Sequence, residues 1–214
     1  MSGTHLMFVR HGETVGNSEK IAHGQSESPL NDRGRDQAKH TARHLRGWRR
    51  PYHRIYSSPM ERARHTAEAI GDALGLPLHT HENLKEGFLG DWEGITYEQL
   101  DEVQFARKSI ADDDFDGHNG ESPNQLAARM VSAVMEIRDS HPEENIIIVS
   151  HGAAISHTLA KLLGTRPVFG HQYIMHNSAV TELRLTPDPF LEVLNAHDHL
   201  PAHLVADPMR RKRS

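Results

Sequence analysis

The chain has 214 residues, of which 36% are hydrophobic and 25% charged, and it contains no cysteine. These values are ordinary for one globular domain, and they exclude a disulfide framework and a thiol nucleophile. The formal charge of −5 gives no electrostatic reason to expect nucleic acid or an anionic membrane as a partner, and no apolar run could span a bilayer. We therefore expect a soluble, cytoplasmic protein with one domain over residues 1–214.

The first predicted strand lies at residues 6–9, a short apolar run of the kind that is covered on both faces of a parallel sheet. The run stops at Arg10-His11-Gly12, which brings an imidazole and a guanidinium group to the end of the strand. A helix is then predicted over 32–45, with Gly47 as its stop.

The next strand is predicted at 55–56, and a helix follows it. Ser58 and Glu61 have the spacing of a capping box, and a proline stands at the first helical position. The helix is therefore expected to begin at Pro59 and to end at Gly75.

Residues 103–121 are polar, acidic at 112–114 and interrupted by glycine, so we interpret them as an exposed insertion or lid. Another helix is predicted directly after them. Ser122 and Gln125 repeat the capping-box spacing, again with proline at the first helical position.

A further strand is predicted at 146–149, and it ends at Ser150-His151-Gly152. The helix that follows is expected to close at Gly164. Two last runs, 179–185 and 190–194, predict a hairpin with Pro187-Asp188-Pro189 as its turn.

Strands that alternate with helices predict an α/β fold, a three-layer αβα sandwich with a mostly parallel central sheet and helices on both faces. The carboxyl ends of parallel strands meet at one edge of such a sheet, where ligands bind. His11 and His151 each follow a predicted strand, so we expect the two imidazoles to meet there. With Arg10 and Arg62 at the same edge, the sequence predicts an anion site.

Four motifs, in this order along the chain, resemble those of the histidine phosphatase superfamily, which includes the cofactor-dependent phosphoglycerate mutases. They are Arg10-His11-Gly12-Glu13-Thr14 with Asn17, the segment 57–63, Glu86 before Gly90-Asp91-Trp92-Glu93-Gly94, and Ser150-His151-Gly152. Arg-His-Gly alone would be a weak signal, but the four motifs together span nearly the whole chain.

The resemblance implies a phosphoryl transfer in two steps. His11 would attack phosphorus as a neutral imidazole and form a phosphohistidine, which water then hydrolyses. One of its ring nitrogens must be held, and a backbone carbonyl in the turn at Gly12 could hold it. His151 would be the second imidazole, donating to the phosphoryl group.

The resemblance also assigns the groups around these histidines. Arg10, Arg62 and Asn17 would bind the phosphate oxygens, since a guanidinium fork suits a tetrahedral oxyanion. Glu86 would be the general acid, with Glu82 and Glu93 as competing candidates. Outside the phosphate site, Glu13 is expected to order its loop and Arg64 to lie on the surface. No metal or cofactor is required, because arginines and histidines supply the positive charge.

Three alternatives stay open beside a phosphomonoester hydrolase. Phosphoglycerate mutases carry a longer, basic middle segment, whereas residues 103–121 are rich in aspartate, with Arg107 and Lys108 as their cations. This difference favours hydrolysis over mutase activity. A non-catalytic phosphate-binding regulatory module and a histidine-rich metal carrier are the others. The substrate is expected to be a small phosphomonoester, selected by 103–121 and by groups near Ser57, His118 and Tyr173.

The 18 histidines also require interpretation. His40 and His44 are one helical turn apart, and three more cluster at 197–203, spacings that a transition metal could use. No cysteine or evident carboxylate completes a site, so we interpret these histidines as facing solvent. The basic run at 210–213, within a tail at about 207–214, is expected to be flexible, and a homodimer is left open.

Overall fold

A computed structural model describes residues 4–185 and 188–205. Its centre is one six-stranded sheet in the order β3-β2-β4-β1-β5-β6. The strands are β1 (His5–Arg10), β2 (Arg54–Ser57), β3 (Leu78–Thr80), β4 (Ile146–Ser150), β5 (Val180–Arg184) and β6 (Phe190–Ala196). The first four strands in the sheet order run parallel, whereas β5 and β6 are antiparallel to their neighbours, which confirms a mostly parallel sheet with a C-terminal hairpin.

Helices cover both faces of the sheet, as predicted for a three-layer α/β fold. They are α1 (Val15–Glu19), α2 (Asp32–Arg46), α3 (Glu61–Leu74), α4 (Tyr97–Glu102), α5 (Phe105–Ala111), α6 (Pro123–Ser140) and α7 (Gly152–Leu162). Met7 and Val9 of β1 pack toward α2 and α3, and Leu6 and Phe8 pack toward α6 and α7. Alternate residues of one strand therefore enter two separate cores.

The start of α3 differs from the prediction. The helix begins at Glu61 instead of Pro59, and its cap residue, Met60, makes no side-chain cap bond. The capping box does not form, because the backbone N–H of Glu61 donates to the carboxylate of Glu27. The Ser58 hydroxyl accepts from the N–H of Met60 at 3.3 Å instead and also contacts His151 Nε2. By contrast, α6 has the predicted capping box between Ser122 and Gln125.

Most residues of the segment 103–121 are exposed or half-buried. It contains α5, and two of its side chains are buried. Asp113 accepts hydrogen bonds from Arg166 Nε at 2.6 Å and from the Val168 N–H at 2.7 Å. His118 is 2% exposed and stacks on the ring of Trp92, with centroids 4.9 Å apart. These contacts fasten both halves of the segment to the rest of the fold.

Two of the histidines interpreted as solvent-facing are in contact with each other. The rings of His44 and His199 stack with centroids 4.4 Å apart, and both are half-buried. Burial, followed by the neighbouring His44, lowers the pKa of His199 to about 4. The pair therefore belongs to the packing of the C-terminal segment against α2.

In the described residues, no helix is both long enough and apolar enough to cross a membrane. The turn residue Pro187 and the basic run at 210–213 lie outside the described residues.

Candidate active site

The register of the sheet brings His11 and His151 together. Arg10, the last residue of β1, pairs with Ser150, the last residue of β4, in parallel register. The next residue of each strand is a histidine, and the two imidazole centroids lie 5.2 Å apart. Both rings are buried. The predicted meeting of the imidazoles at the carboxyl edge is therefore present.

The turn after His11 requires glycine, because the chain passes very close to the first turn of α2. A Cβ on Gly12 would lie 2.9 Å from the carbonyl carbon of Gly34, a distance that real Cβ atoms do not reach. The Gly12 N–H donates to the Thr66 hydroxyl of α3 at 3.1 Å. Two helices thus fix the backbone that carries His11.

The proton on the His11 ring can be assigned from its contacts. Nδ1 lies 2.7 Å from the carbonyl oxygen of Gly12, and since a carbonyl only accepts, Nδ1 carries the hydrogen. Burial, followed by the charges of Arg62 and Arg10, holds the pKa of His11 well below its ordinary value of 6.5. The ring is therefore neutral at pH 7, and its Nε2 has a free lone pair.

The tautomer of His151 is fixed in the opposite sense. Arg62 Nε donates to Nδ1 of His151 at 3.1 Å, so the neutral ring carries its hydrogen on Nε2, 2.8 Å from the Ser58 hydroxyl. Burial and the charge of Arg62 keep the pKa of His151 well below its ordinary value. One imidazole of the pair thus offers a lone pair, and the other offers an N–H donor.

Arg10 keeps a buried N–H donor free, within the part of the chain that the structure describes. Its Nη1 donates to the Met175 carbonyl at 2.6 Å, whereas its buried Nε has no partner within the described residues. Gly152 leaves room beside this group, since a Cβ there would lie 3.4 Å from Arg10 Nε. An unpartnered buried donor of this kind is typical of an anion site.

Arg62 lies in the site but is more occupied than the sequence suggested. It is 2% exposed, and beyond its bond to His151 it donates to the carbonyls of Ser26 at 2.9 Å and Gly24 at 2.7 Å. Arg62 therefore orients His151 and holds the 23–26 loop. The sequence had predicted only that it binds phosphate oxygens.

Asn17 is part of a helix cap and also faces a residue that sequence reasoning missed. Its side-chain oxygen accepts from the Thr14 N–H at 3.2 Å and from Asn177 Nδ2 at 3.1 Å. Asn177 Nδ2 also donates to the His11 carbonyl. Because the oxygen of Asn17 is held in this way, its amide N–H₂ group is left as the end that can meet an anion.

Glu86 lies against the first turn of α7. Its carboxylate accepts from the N–H groups of Ala154 at 2.8 Å, Gly87 at 2.9 Å and Ala153 at 3.2 Å. The helix that follows His151 therefore orients this carboxylate from its N-terminus.

The two competing carboxylates have other partners. Glu82 is mostly exposed and pairs with Lys85 at 2.6 Å. Glu93 accepts from the N–H groups of Gln25, Ser26 and Leu89. Burial opposes its ionisation, but these hydrogen bonds outweigh that effect and lower the pKa of Glu93. Neither group is placed as Glu86 is.

The remaining two residues are placed as expected. Glu13 is buried and accepts from Asn31 Nδ2 at 2.8 Å and from Arg33 at 3.2 Å, so it orders the loop after His11. Arg64 pairs with Glu68 on the outer face of α3.

Beside the candidate phosphate-binding residues lies a cavity of about 420 Å³, whose wall includes Arg10, Glu86 and Gly152. The segment 103–121 contributes α5 to this wall. Ser57, His118 and Tyr173, expected near the leaving group, do not line it. Ser57 instead donates to the Ser58 carbonyl, and His118 is enclosed by aromatic rings.

Comparison with known proteins agrees with this geometry. The family model of the histidine phosphatase superfamily (branch 1) matches residues 6–196. Glucosyl-3-phosphoglycerate phosphatase of Mycobacterium tuberculosis is 35% identical over 197 residues, 86% of each chain, and a probable phosphoglycerate mutase, GpmB, of Yersinia enterocolitica is 32% identical over 87% of each chain. Among solved structures, phosphoserine phosphatase of Entamoeba histolytica has a TM-score of 0.81 at 28% identity, covering 92% of this chain and all of its own. The chain therefore belongs to the histidine phosphatase superfamily.

Proposed function

We propose that this histidine phosphatase hydrolyses small phosphomonoesters in two steps through a phosphohistidine on His11. The observation that carries the proposal is the fixed tautomer of this ring. With Nδ1–H held by the Gly12 carbonyl and a lowered pKa, Nε2 is an unprotonated nucleophile at neutral pH.

In the first step, Nε2 of His11 attacks phosphorus and the bond from phosphorus to the ester oxygen breaks. The leaving oxygen takes a proton from the carboxyl of Glu86, which general acid catalysis requires for a poor leaving group.

In the second step, water attacks the phosphohistidine. The carboxylate of Glu86 now accepts a proton from the water, the N–P bond breaks, and phosphate is released with His11 neutral again. The same carboxyl group thus serves as acid and then as base.

Cationic and neutral hydrogen-bond donors stabilise the charge of the phosphoryl oxygens during both steps. Arg10 offers its unpartnered Nε, and Asn17 offers its amide N–H₂ group. His151 offers its Nε2–H by exchanging the Ser58 hydroxyl for a phosphate oxygen. Arg62 joins them by exchanging one of its loop carbonyls for a phosphate oxygen. A free buried donor such as Arg10 Nε stabilises a transition state without reorganisation, and the proposed steps need no metal ion.

Hydrolysis is favoured over phosphoglycerate mutase activity by the charge of the segment 103–121. A bisphosphorylated ligand needs free cations near the site. Lys108 lies over the rings of Trp92 and Phe115, at 5.8 and 5.9 Å from their centroids. The neighbouring Asp113 carboxylate is paired with Arg166. We propose that this segment acts as a lid of a single-domain enzyme and does not hold a second phosphate.

Trapping of the phosphoenzyme tests the proposal. The protein is mixed with ³²P-labelled phosphomonoester, quenched in alkali, and assayed for protein-bound label that is lost in acid. We expect label in the parent and in His203→Ala, an exposed histidine, but not in His11→Ala. Equal labelling of the two variants would refute His11 as nucleophile, and binding of phosphate without release from any ester would favour a regulatory module.

A further inference from the structure

The cavity beside Glu86 defines where the alcohol part of the substrate must lie. It shares Arg10, Glu86 and Gly152 with the proposed phosphoryl site and extends from them toward α4 and α5. The leaving oxygen has to stand next to Glu86, so the group attached to that oxygen enters this cavity. This inference rests on the function proposed above.

The wall of the cavity is mainly apolar, and much of it is open to solvent. Eight large hydrophobic side chains of the described residues are conspicuously exposed, and four of them line this one cavity. They are Phe88, Tyr97, Ile110 and Ile174, which are 40–49% exposed. Apolar side chains gathered at a concave surface are typical of a ligand site for an apolar group.

The wall offers no free cation for a negatively charged leaving group. Within the described ranges, Arg10 is its only arginine or lysine, and the proposed mechanism commits that residue to the phosphoryl group. Arg129 lies behind the wall, where it donates to the Glu121 carboxylate at 2.6 Å and to the Glu86 carbonyl at 3.1 Å. The acidic residues of the lining are Glu86 and Glu121, and neither offers a cation.

Two of the three histidines of the wall, His157 and His23, are also unsuited to binding a carboxylate. Burial lowers the pKa of His157 and of His23, so both are neutral at pH 7. Nδ1 of His157 lies 2.6 Å from the Pro167 carbonyl and must donate to it, which leaves Nε2 as a hydrogen-bond acceptor. An acceptor matches a hydroxyl group, whereas it repels a carboxylate.

We propose that the substrate is the monophosphate ester of an uncharged, largely apolar alcohol, and that the cavity rejects esters whose alcohol carries a carboxylate or a second phosphate. An apolar alcohol removes exposed hydrophobic side chains from water, whereas a carboxylate at the same place loses part of its hydration and finds no free cation. The preference differs from the substrates that the names of the two phosphatases above describe, because phosphoserine and phosphoglycerate derivatives both carry a carboxylate.

A matched pair of substrates tests this preference. Hexyl phosphate and 5-carboxypentyl phosphate have the same chain length and the same kind of leaving oxygen, and they differ in the terminal charge. We expect kcat/KM to be at least about tenfold higher for hexyl phosphate, the size of discrimination that a single pocket contact gives. Equal values, or a preference for the carboxylate, would overturn the inference.

The same assay separates this inference from the proposed function. 4-Nitrophenyl phosphate serves as the common check of phosphatase activity. If it is hydrolysed but hexyl phosphate is not, the apolar pocket is refuted and the proposed function stands. If no ester is hydrolysed and no phosphoenzyme forms, the proposed function fails and the inference fails with it.

A charge introduced into the wall gives an independent test. Ile110, on α5, is 49% exposed, so Ile110→Lys can fold with its ammonium group in the cavity mouth. We expect the preference for hexyl phosphate to fall by about tenfold or to reverse. Leu194→Lys is the matched control, since Leu194 is 40% exposed on β6 and does not line the cavity. The same preference in both variants would count against the proposed pocket.

Discussion

Arg62 Nε donates to Nδ1 of His151 over 3.1 Å, and this bond fixes which nitrogen of the second imidazole carries hydrogen. The same guanidinium group donates to the carbonyls of Ser26 and Gly24. A planar fork can serve a ring nitrogen and two carbonyls at once, whereas a lysine ammonium on a flexible chain cannot reproduce that geometry. Arg62 is therefore a positioning group for His151 as well as a source of positive charge.

The first prediction concerns Arg62→Lys. We expect kcat/KM to fall by about 100-fold, as when a preorganised donor is removed, and the free energy of unfolding to fall by about 1–3 kcal/mol, because buried carbonyls lose their donors. Steady-state kinetics and urea unfolding measure the two effects.

Arg64→Lys is the control for this variant. Arg64 is two residues along α3, is partly exposed and pairs with Glu68 on the surface. Its substitution should change the free energy of unfolding by no more than about 0.5 kcal/mol and leave kcat/KM unchanged. If the two lysine variants behave alike, the positioning role of Arg62 is wrong.

The second prediction concerns the turn that carries His11. In Gly12→Ala the new Cβ would lie 2.9 Å from the Gly34 carbonyl carbon, and that neighbour is backbone and cannot turn aside. We expect a loss of at least about 2 kcal/mol in the free energy of unfolding and the loss of phosphoenzyme formation. Gly47→Ala, where the nearest atom is 3.7 Å from the Cβ, should leave both unchanged.

The site histidines could be predicted from sequence because a local pattern marks each strand end and the parallel sheet brings those ends together. An apolar run followed by His-Gly marks the end of a buried strand, and parallel strands place their carboxyl ends at the same edge. The pairing of Arg10 with Ser150 makes the following residues neighbours. The strand β3 was missed because it is only three residues long and half exposed, with no apolar run to mark it.

The start of α3 and the buried side chains of the 103–121 segment could not be predicted, for a different reason. The capping box at Ser58 failed because the carboxylate of Glu27, 34 residues earlier, accepts from the Glu61 N–H that the box would have used. Asn177 likewise reaches the His11 carbonyl across 166 residues. His118 carries no pattern that predicts its stacking on Trp92. Contacts between distant parts of the chain decide these positions, and local spacing carries no information about them.

The third prediction tests Glu86 through its dependence on the leaving group. In Glu86→Gln the amide cannot donate a proton to an alkoxide, so we expect kcat/KM for hexyl phosphate to fall by about 100- to 10,000-fold. The fall should be much smaller for 4-nitrophenyl phosphate, whose leaving group needs no proton. Glu82→Gln, at an exposed carboxylate paired with Lys85, should affect neither substrate. An equal loss for both esters would mean that Glu86 acts only in binding or folding.

The fourth prediction concerns stability as a function of pH. Burial and the neighbouring His44 lower the pKa of His199 to about 4, and burial keeps the pKa of His11 and His151 well below 6.5. Because the unfolded chain then binds more protons than the folded one, this stability is fully present above about pH 6.5 and is lost as the pH falls from there toward 4. The free energy of unfolding in urea should therefore be lower at pH 5 than at pH 7.

The carboxylates of Glu93 and Glu182 have lowered pKa values, so their contribution to stability is lost mainly below about pH 5 and adds little to the difference between pH 5 and pH 7. In His199→Gln, the difference in the free energy of unfolding between pH 5 and pH 7 should be smaller by about 1–2 kcal/mol, after allowance for the screening of a half-buried group. The glutamine side chain can keep a hydrogen bond to Thr41. His203→Gln, an exposed position of the same segment, should leave the slope as it is in the parent. A parent protein whose stability is the same at pH 5 and pH 7 would contradict neutral, buried imidazoles, and with them the unprotonated nucleophile on which the proposed chemistry depends.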